Sequence, residues 1–104
     1  KVVEPIIELK EDAYLDGEYI NDATNKIEIY QRIAAIRTDE HADQLEEELI
    51  DRFGALTEPV KKIMQVARLK NYARKLKIKS IIEKPAFVEI CYDKATNIEP
   101  ENMQ

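Results

Sequence analysis

Apolar residues along the chain fall into two kinds of rhythm. Pro5, Ile6, Ile7, Glu8 and Leu9 form a short β-like run, and the irregular stretch from Lys10 to Tyr19 follows it as a loop. Asn21 and Asp22 offer capping side chains. Beyond them Ile27, Tyr30, Ile33, Ala34 and Arg37 recur at helical spacing, which predicts a helix over about residues 23–37. Thr38 and Asp39 cap a second helix, over 39–53, with the apolar stripe Ala42, Leu45, Leu49 and Phe53 and with Gly54 as its left-handed stop. Thr57 presents a capping hydroxyl just before Pro59, whose missing amide hydrogen is harmless in a first turn. Val60, Ile63, Met64, Ala67, Leu69, Tyr72, Ala73 and Leu76 then carry a third helix over 58–77. Residues 79–83 and 86–92 alternate as two strands joined by a tight antiparallel turn at Lys84 and Pro85, and Asn97 to Gln104 resembles the start of another helix. The pattern predicts an α+β fold, with three helices covering one face of a small, mainly antiparallel sheet.

A chain of 104 residues fits a single domain, residues 1–104, with one modest core. Its 44% hydrophobic residues sit in periodic segments, so a folded domain is expected rather than a disordered tail. No apolar run approaches the roughly 18 to 20 residues of a membrane span, and no signal pattern opens the chain, so the expected setting is cytoplasmic and off the membrane. The single cysteine, Cys91, has no partner for an internal disulfide and is expected as a small buried thiol in the last strand. Net charge is −5, unevenly spread: sixteen acids and six bases in residues 1–60, one acid and nine bases in 61–84, four acids and one base in 85–104. Such separation suits either a basic surface for a phosphate backbone or a dipolar domain whose acidic part meets a basic partner. The acidic balance favours the second.

Catalytic signatures are missing from the sequence: no GxxxxGK[ST], GxSxG, HExxH or CxxC occurs, and two glycines leave no phosphate-cradling loop. No catalytic residue, metal ligand or cofactor site is expected, and the domain reads as non-enzymatic. His41, the only histidine, lies in the first turn of the second helix without a cysteine at ligand spacing and is expected as a solvated surface residue. More informative is the acidic face of that helix. With Leu45, Leu49 and Phe53 inward, Glu40, Asp43, Gln44, Glu47, Glu48 and Asp51 lie on the opposite side. Glu48 and Asp51 are neighbours there, mildly repulsive in water and favourable once an arginine docks. Taken alone, these residues are most simply a solvated face.

Glu48 to Gly54 reads ELIDRFG. Upstream lies YINDATNKIEIYQRIA (Tyr19 to Ala34), and downstream VKKIMQVARLKNYARKLKI (Val60 to Ile78). Together, in this order and over at least residues 5–92, these segments resemble the C-terminal (TRCF) domain of the bacterial transcription-repair coupling factors, also called Mfd. Asp16 and Thr57 depart from the pattern, each standing where a proline is common. The resemblance implies a parent protein that is an ATP-dependent DNA translocase, which displaces stalled RNA polymerase and recruits the excision-repair subunit UvrA, with polymerase and DNA bound by other domains. It implies for this domain a regulatory role, packing on an N-terminal UvrB-like module and masking the surface that UvrA would bind. The chain would then be most of that domain, stopping short of its C-terminal end. By the same resemblance Glu48 and Asp51 meet arginines of the UvrB-like module, while Arg52, Phe53 and Gly54 hold the motif to the core. Charge reversal at either carboxylate is expected to leave the fold intact. A second expectation is a nucleic-acid-binding module using Arg68, Lys70, Arg74, Lys75, Lys77 and Lys79 on the basic face of helix 58–77, although Tyr72 is its only aromatic for stacking.

Overall fold

A computed structural model describes residues 4–92. In chain order they form strand β1 (Ile6–Glu8), helices α1 (Ala23–Ala34), α2 (Asp39–Phe53) and α3 (Glu58–Lys75), and strands β2 (Ile78–Glu83) and β3 (Val88–Tyr92). The helix expected from Asn97 lies outside the described residues. The fold is α+β as the patterning predicts, and each element predicted within the described residues is present: α2 has the predicted bounds, β2 begins one residue earlier, and the others are shorter. Strand order is β1-β2-β3: β2 and β3 pair antiparallel as a hairpin, closed by the Lys84 N–H on the Phe87 carbonyl, whereas β1 pairs parallel to β2. A parallel partner requires a long crossover, and here all three helices lie within it.

Layering differs from expectation in one respect. Only α3 packs on the sheet, against β1 and β2, while α1 and α2 pack on α3 and on each other. The core therefore sits among the helices and the loop before α1, where Leu15, Ile20, Ile29, Leu45, Leu49 and Met64 are all 2% exposed or less. Strand β3 stands clear of it and is exposed along its whole length. Cys91 is consequently exposed, not the buried thiol expected from alternation. Period-two patterning shows that a strand has two faces but not whether a layer exists to cover either.

Helix ends explain the shortened spans. Asp22 and Thr38 cap α1 and α2 as predicted, accepting from the backbone N–H of Asn25 and His41. Thr57 occupies the N-cap of α3 but its side chain makes no capping bond; its hydroxyl donates to Asp16 Oδ1 at 2.5 Å. Asp16 and Thr57, the two positions where the resemblance led to the expectation of a proline, are thus bonded to each other across two loops. Helix α1 stops at Ala34 because the Ala35 and Ile36 amides tighten onto carbonyls three residues back, and Arg37 then donates to the Ala34 and Ile36 carbonyls. Its buried residues are Ile29 and Ile33, and Ile36 joins them just past the helix end. Ile27, expected inward, is 59% exposed, so the face is rotated from the one read off the sequence. Helix α3 ends at Lys75, and Lys77 follows with a φ of 59°, a left-handed conformation in a non-glycine residue that turns the chain into β2.

Candidate functional site on the second helix

Helix α2 lies between α1 and α3, and this position divides its acids among three surroundings. Ala42, Leu45 and Leu49 face the core. On the α3 side, Arg68 gathers Asp43 (2.7 Å), Glu46 (3.1 Å) and Asp39 (3.9 Å), and Tyr72 donates its hydroxyl to Asp39 at 3.3 Å. Burial alone would lower the Arg68 pKa, but the hydrogen bonds to Asp43 and Glu46 outweigh it and raise the value. On the α1 side, Arg32 forms a two-pronged bond to Glu48, Nη1 to Oε2 at 2.6 Å and Nη2 to Oε1 at 2.7 Å. Arg52, one turn on, adds Nη1 to Oε2 at 3.1 Å and approaches Glu28 at 4.0 Å.

Glu48 is therefore a fixed charge. The hydrogen bond from Arg32 pulls its carboxyl far below the ordinary carboxylate range, partial burial opposes that shift, and Arg52 reinforces it, leaving the pKa at about 2. Three of the roughly four lone-pair directions on its two oxygens are occupied. Arg52 also lies over the Phe53 ring, 4.9 Å from its centroid. Phe53 is half-buried against the core, and its ring meets Tyr19 with centroids 5.7 Å apart. The Tyr19 hydroxyl donates to the carbonyls of Leu49 (3.1 Å) and Gly54 (2.7 Å), tying the end of α2 to the loop before α1. Burial, with the Asp16 charge second, raises the Tyr19 pKa. Gly54 has φ 95° and ψ −170°, an extended positive-φ conformation rather than the ordinary left-handed helix stop, and nearly closed to residues with a Cβ.

What remains outward is narrower than the predicted face. Glu40, Gln44, Glu47 and Asp51, spaced at four, three and four residues, form one exposed stripe, and none has an ion-pair partner among the described residues. Glu48 and Asp51, named together from the motif, occupy different surroundings: Asp51 is open to solvent, Glu48 is clamped by two arginines of its own domain. The Arg32–Glu48 bond could have been suspected from the sequence only with the α1–α2 packing in hand, and Arg32 drew no attention there. His41 is half-buried in the first turn of α2. No helix among the described residues is long and apolar enough to cross a membrane.

The basic residues of α3 are likewise divided. Arg68 is held by the α2 acids, Arg74 pairs with Glu4 and donates to Asn71 Oδ1, and Lys61 and Lys62 bridge to Glu58 and Glu11. Lys70, Lys75, Lys77 and Lys79 form no ion pair among the described residues.

Known proteins share both sequence and architecture with this chain. A family model described as the TRCF domain matches residues 9–103. The transcription-repair-coupling factor of Escherichia coli (strain K12) is 35% identical over 75 residues, 72% of this chain and 6% of that protein. That of Bacillus subtilis (strain 168) is 37% identical over the same length and the same shares. The chain thus spans a small part of the relatives it matches. A crystal structure of the C-terminal domain of transcription-repair coupling factor superposes with a TM-score of 0.84 at 33% identity, covering 89% of this chain and 58% of that one. With the family model spanning nearly the whole sequence and the same fold in a solved relative, the chain belongs to the TRCF domain family, the C-terminal domain of transcription-repair coupling factors.

Proposed function

We propose that this domain is a regulatory lid, docking through the outer stripe of α2 on a UvrB-like module at the other end of its parent chain and masking the surface that UvrA binds. The parent would be an ATP-dependent DNA translocase that displaces stalled RNA polymerase and recruits excision repair, with polymerase and DNA held by other domains. Family membership supports the setting. The observation that carries the docking face is Asp51: it sits in the ELIDRFG motif, is exposed, and has no ion-pair partner among the described residues, so it is free to receive an arginine. Glu48 joins it as a positioned charge with one lone-pair direction left, and its two arginines keep it ionised and directed. The nucleic-acid reading is weaker, because two of the six cations it names, Arg68 and Arg74, are already neutralised by carboxylates of this domain.

The test is Asp51→Lys in the full-length parent protein, titrated with UvrA. Opening the lid should tighten UvrA binding. A desolvated charge pair broken at an interface shifts closure by on the order of 2 to 5 kcal/mol and an exposed rim pair by about 0 to 1, so the size of the gain distinguishes the two. UvrA binding as weak as in the unmodified protein would remove Asp51 from the docking face.

A further inference from the structure

Helix α2 turns one large apolar side chain outward. Ile50 is 49% exposed, and Glu47, Ile50 and Asp51 stand at i, i+3 and i+4, so their side chains share one turn. Glu46, the other neighbour of Ile50 on the helix, is drawn toward α3 by Arg68 at 3.1 Å. Gly54, one turn on, has no side chain, and the space where one would project is open. The helix also ends here. The Gly54 N–H closes on the Ile50 carbonyl, and the carbonyls of Asp51, Arg52 and Phe53 accept no backbone hydrogen bond among the described residues. Arg52 is turned to Glu48 and to the Phe53 ring. The outer side of this end of α2 therefore sets an aliphatic surface beside a carboxylate and free carbonyls, at the negative end of the helix dipole.

We propose that Ile50 is the apolar anchor of the α2 docking face, and that the group it fits is an arginine of the partner, its methylene stem lying on Ile50 and its guanidinium reaching Asp51 and the carbonyls that end α2. The inference rests on the docking reading above and names the chemistry of that contact. A single exposed aliphatic residue on a protein surface is common. Ile50 is distinguished by its place, an apolar centre beside charges that nothing in its own domain neutralises. Arginine suits it better than lysine, because five donors in one plane can meet a carboxylate and carbonyls together while the stem covers apolar surface.

The experiment uses the full-length parent protein, titrated with UvrA as for Asp51→Lys. Ile50→Ala removes the aliphatic surface and raises helix propensity, so it should tighten UvrA binding about three- to tenfold with an unchanged melting temperature. Ile50→Leu keeps the apolar surface and should stay within about twofold of the unmodified protein. Raising salt from about 0.1 to about 0.5 M should shrink the gain from Asp51→Lys and spare that from Ile50→Ala, since ions screen charges and not apolar burial. If Asp51→Lys opens the lid and Ile50→Ala does not, the anchor is refuted and the docking reading stands; if neither does, both fall. A gain from Ile50→Leu equal to that from Ile50→Ala, or one from Ile50→Ala that vanishes with salt, would overturn the proposal. So would a lowered melting temperature without tighter UvrA binding, which would place Ile50 against the rest of its own domain.

Discussion

Replacing Glu48 by Gln removes one charge from the Arg32–Glu48–Arg52 cluster and keeps the side-chain shape, so it measures what the cluster contributes. Taken at face value, a carboxyl held at about 2 against an unfolded value near 4.3 corresponds to ~3 kcal/mol. That is an upper bound, because the Glu48 and Arg32 side chains are 36% and 37% exposed and solvent screens the pair. Two-pronged geometry and a second arginine place the pair above an ordinary surface bridge, and we expect a loss of about 1 to 2 kcal/mol at pH 7. The folded pKa is depressed, so the stabilisation is present above the unfolded pKa and is lost as pH falls through about 2. Urea unfolding followed by circular dichroism, at pH 7 and at intervals between pH 5 and 2, should show the midpoint of Glu48→Gln lowered by ~1 M at neutral pH. That gap should close toward pH 2. Other carboxylates titrate equally in both proteins and cancel in the difference. An unchanged midpoint at pH 7, or a difference that persists undiminished at pH 2, would show that the cluster is solvated decoration.

Tyr19→Phe should cost about 1 kcal/mol in urea unfolding, since the hydroxyl bonds to the Leu49 and Gly54 carbonyls vanish while the ring stays. Because burial raises the Tyr19 pKa, its contribution is whole below the unfolded value near 10 and is lost as pH rises through the folded one. The variant should therefore lose less stability than the parent in strong alkali, and equal losses would refute the role. Gly54→Ala should lower stability by ~1 to 3 kcal/mol through backbone strain alone, because an added Cβ meets nothing within 4 Å. A melting temperature unchanged by that substitution would show that the α2 terminus relaxes freely.

The helices were legible because each carries its own punctuation: Asp22 and Thr38 as caps, Pro59 in a first turn, Gly54 as a stop. Their faces were legible only where apolar spacing was unambiguous. In α2 the stripe Ala42, Leu45 and Leu49 has polar neighbours except for the exposed Ile50, and it is the buried one. In α1 the apolar residues Ile27, Ile29, Tyr30 and Ile33 spread over about 160° of the helix at 100° per residue, so which part of that arc is buried was decided by what α2 and α3 present to it. The sheet was harder for the same reason. Nothing in Ile6 to Glu8 says that it pairs parallel to a strand seventy residues away, or that α3 alone covers the sheet. Leu15, Tyr19 and Ile20, in a stretch without period, enter the core because the chain must cross between layers there.

The acidic face shows where helical periodicity ceases to report on chemistry. A helical wheel separates inward from outward, but α2 has neighbours on both flanks, and residues about a quarter-turn from the core direction meet them. Glu48 on one flank and Asp43 and Glu46 on the other find arginines of α1 and α3, so half of the apparent surface charge holds the helices together. Only the stripe farthest from Leu45 and Leu49 keeps its charge unspent. A motif reading that pairs Glu48 with Asp51 therefore joins two residues with separable tasks. Glu48 fastens α2 to α1 and steadies the loop end through Arg52 and Phe53, whereas Asp51 is presented on that steadied end with nothing of its own domain to satisfy it. Under the proposed docking, substituting Glu48 should disturb both stability and docking, and substituting Asp51 docking alone. That asymmetry makes Asp51 the cleaner probe of the proposed lid.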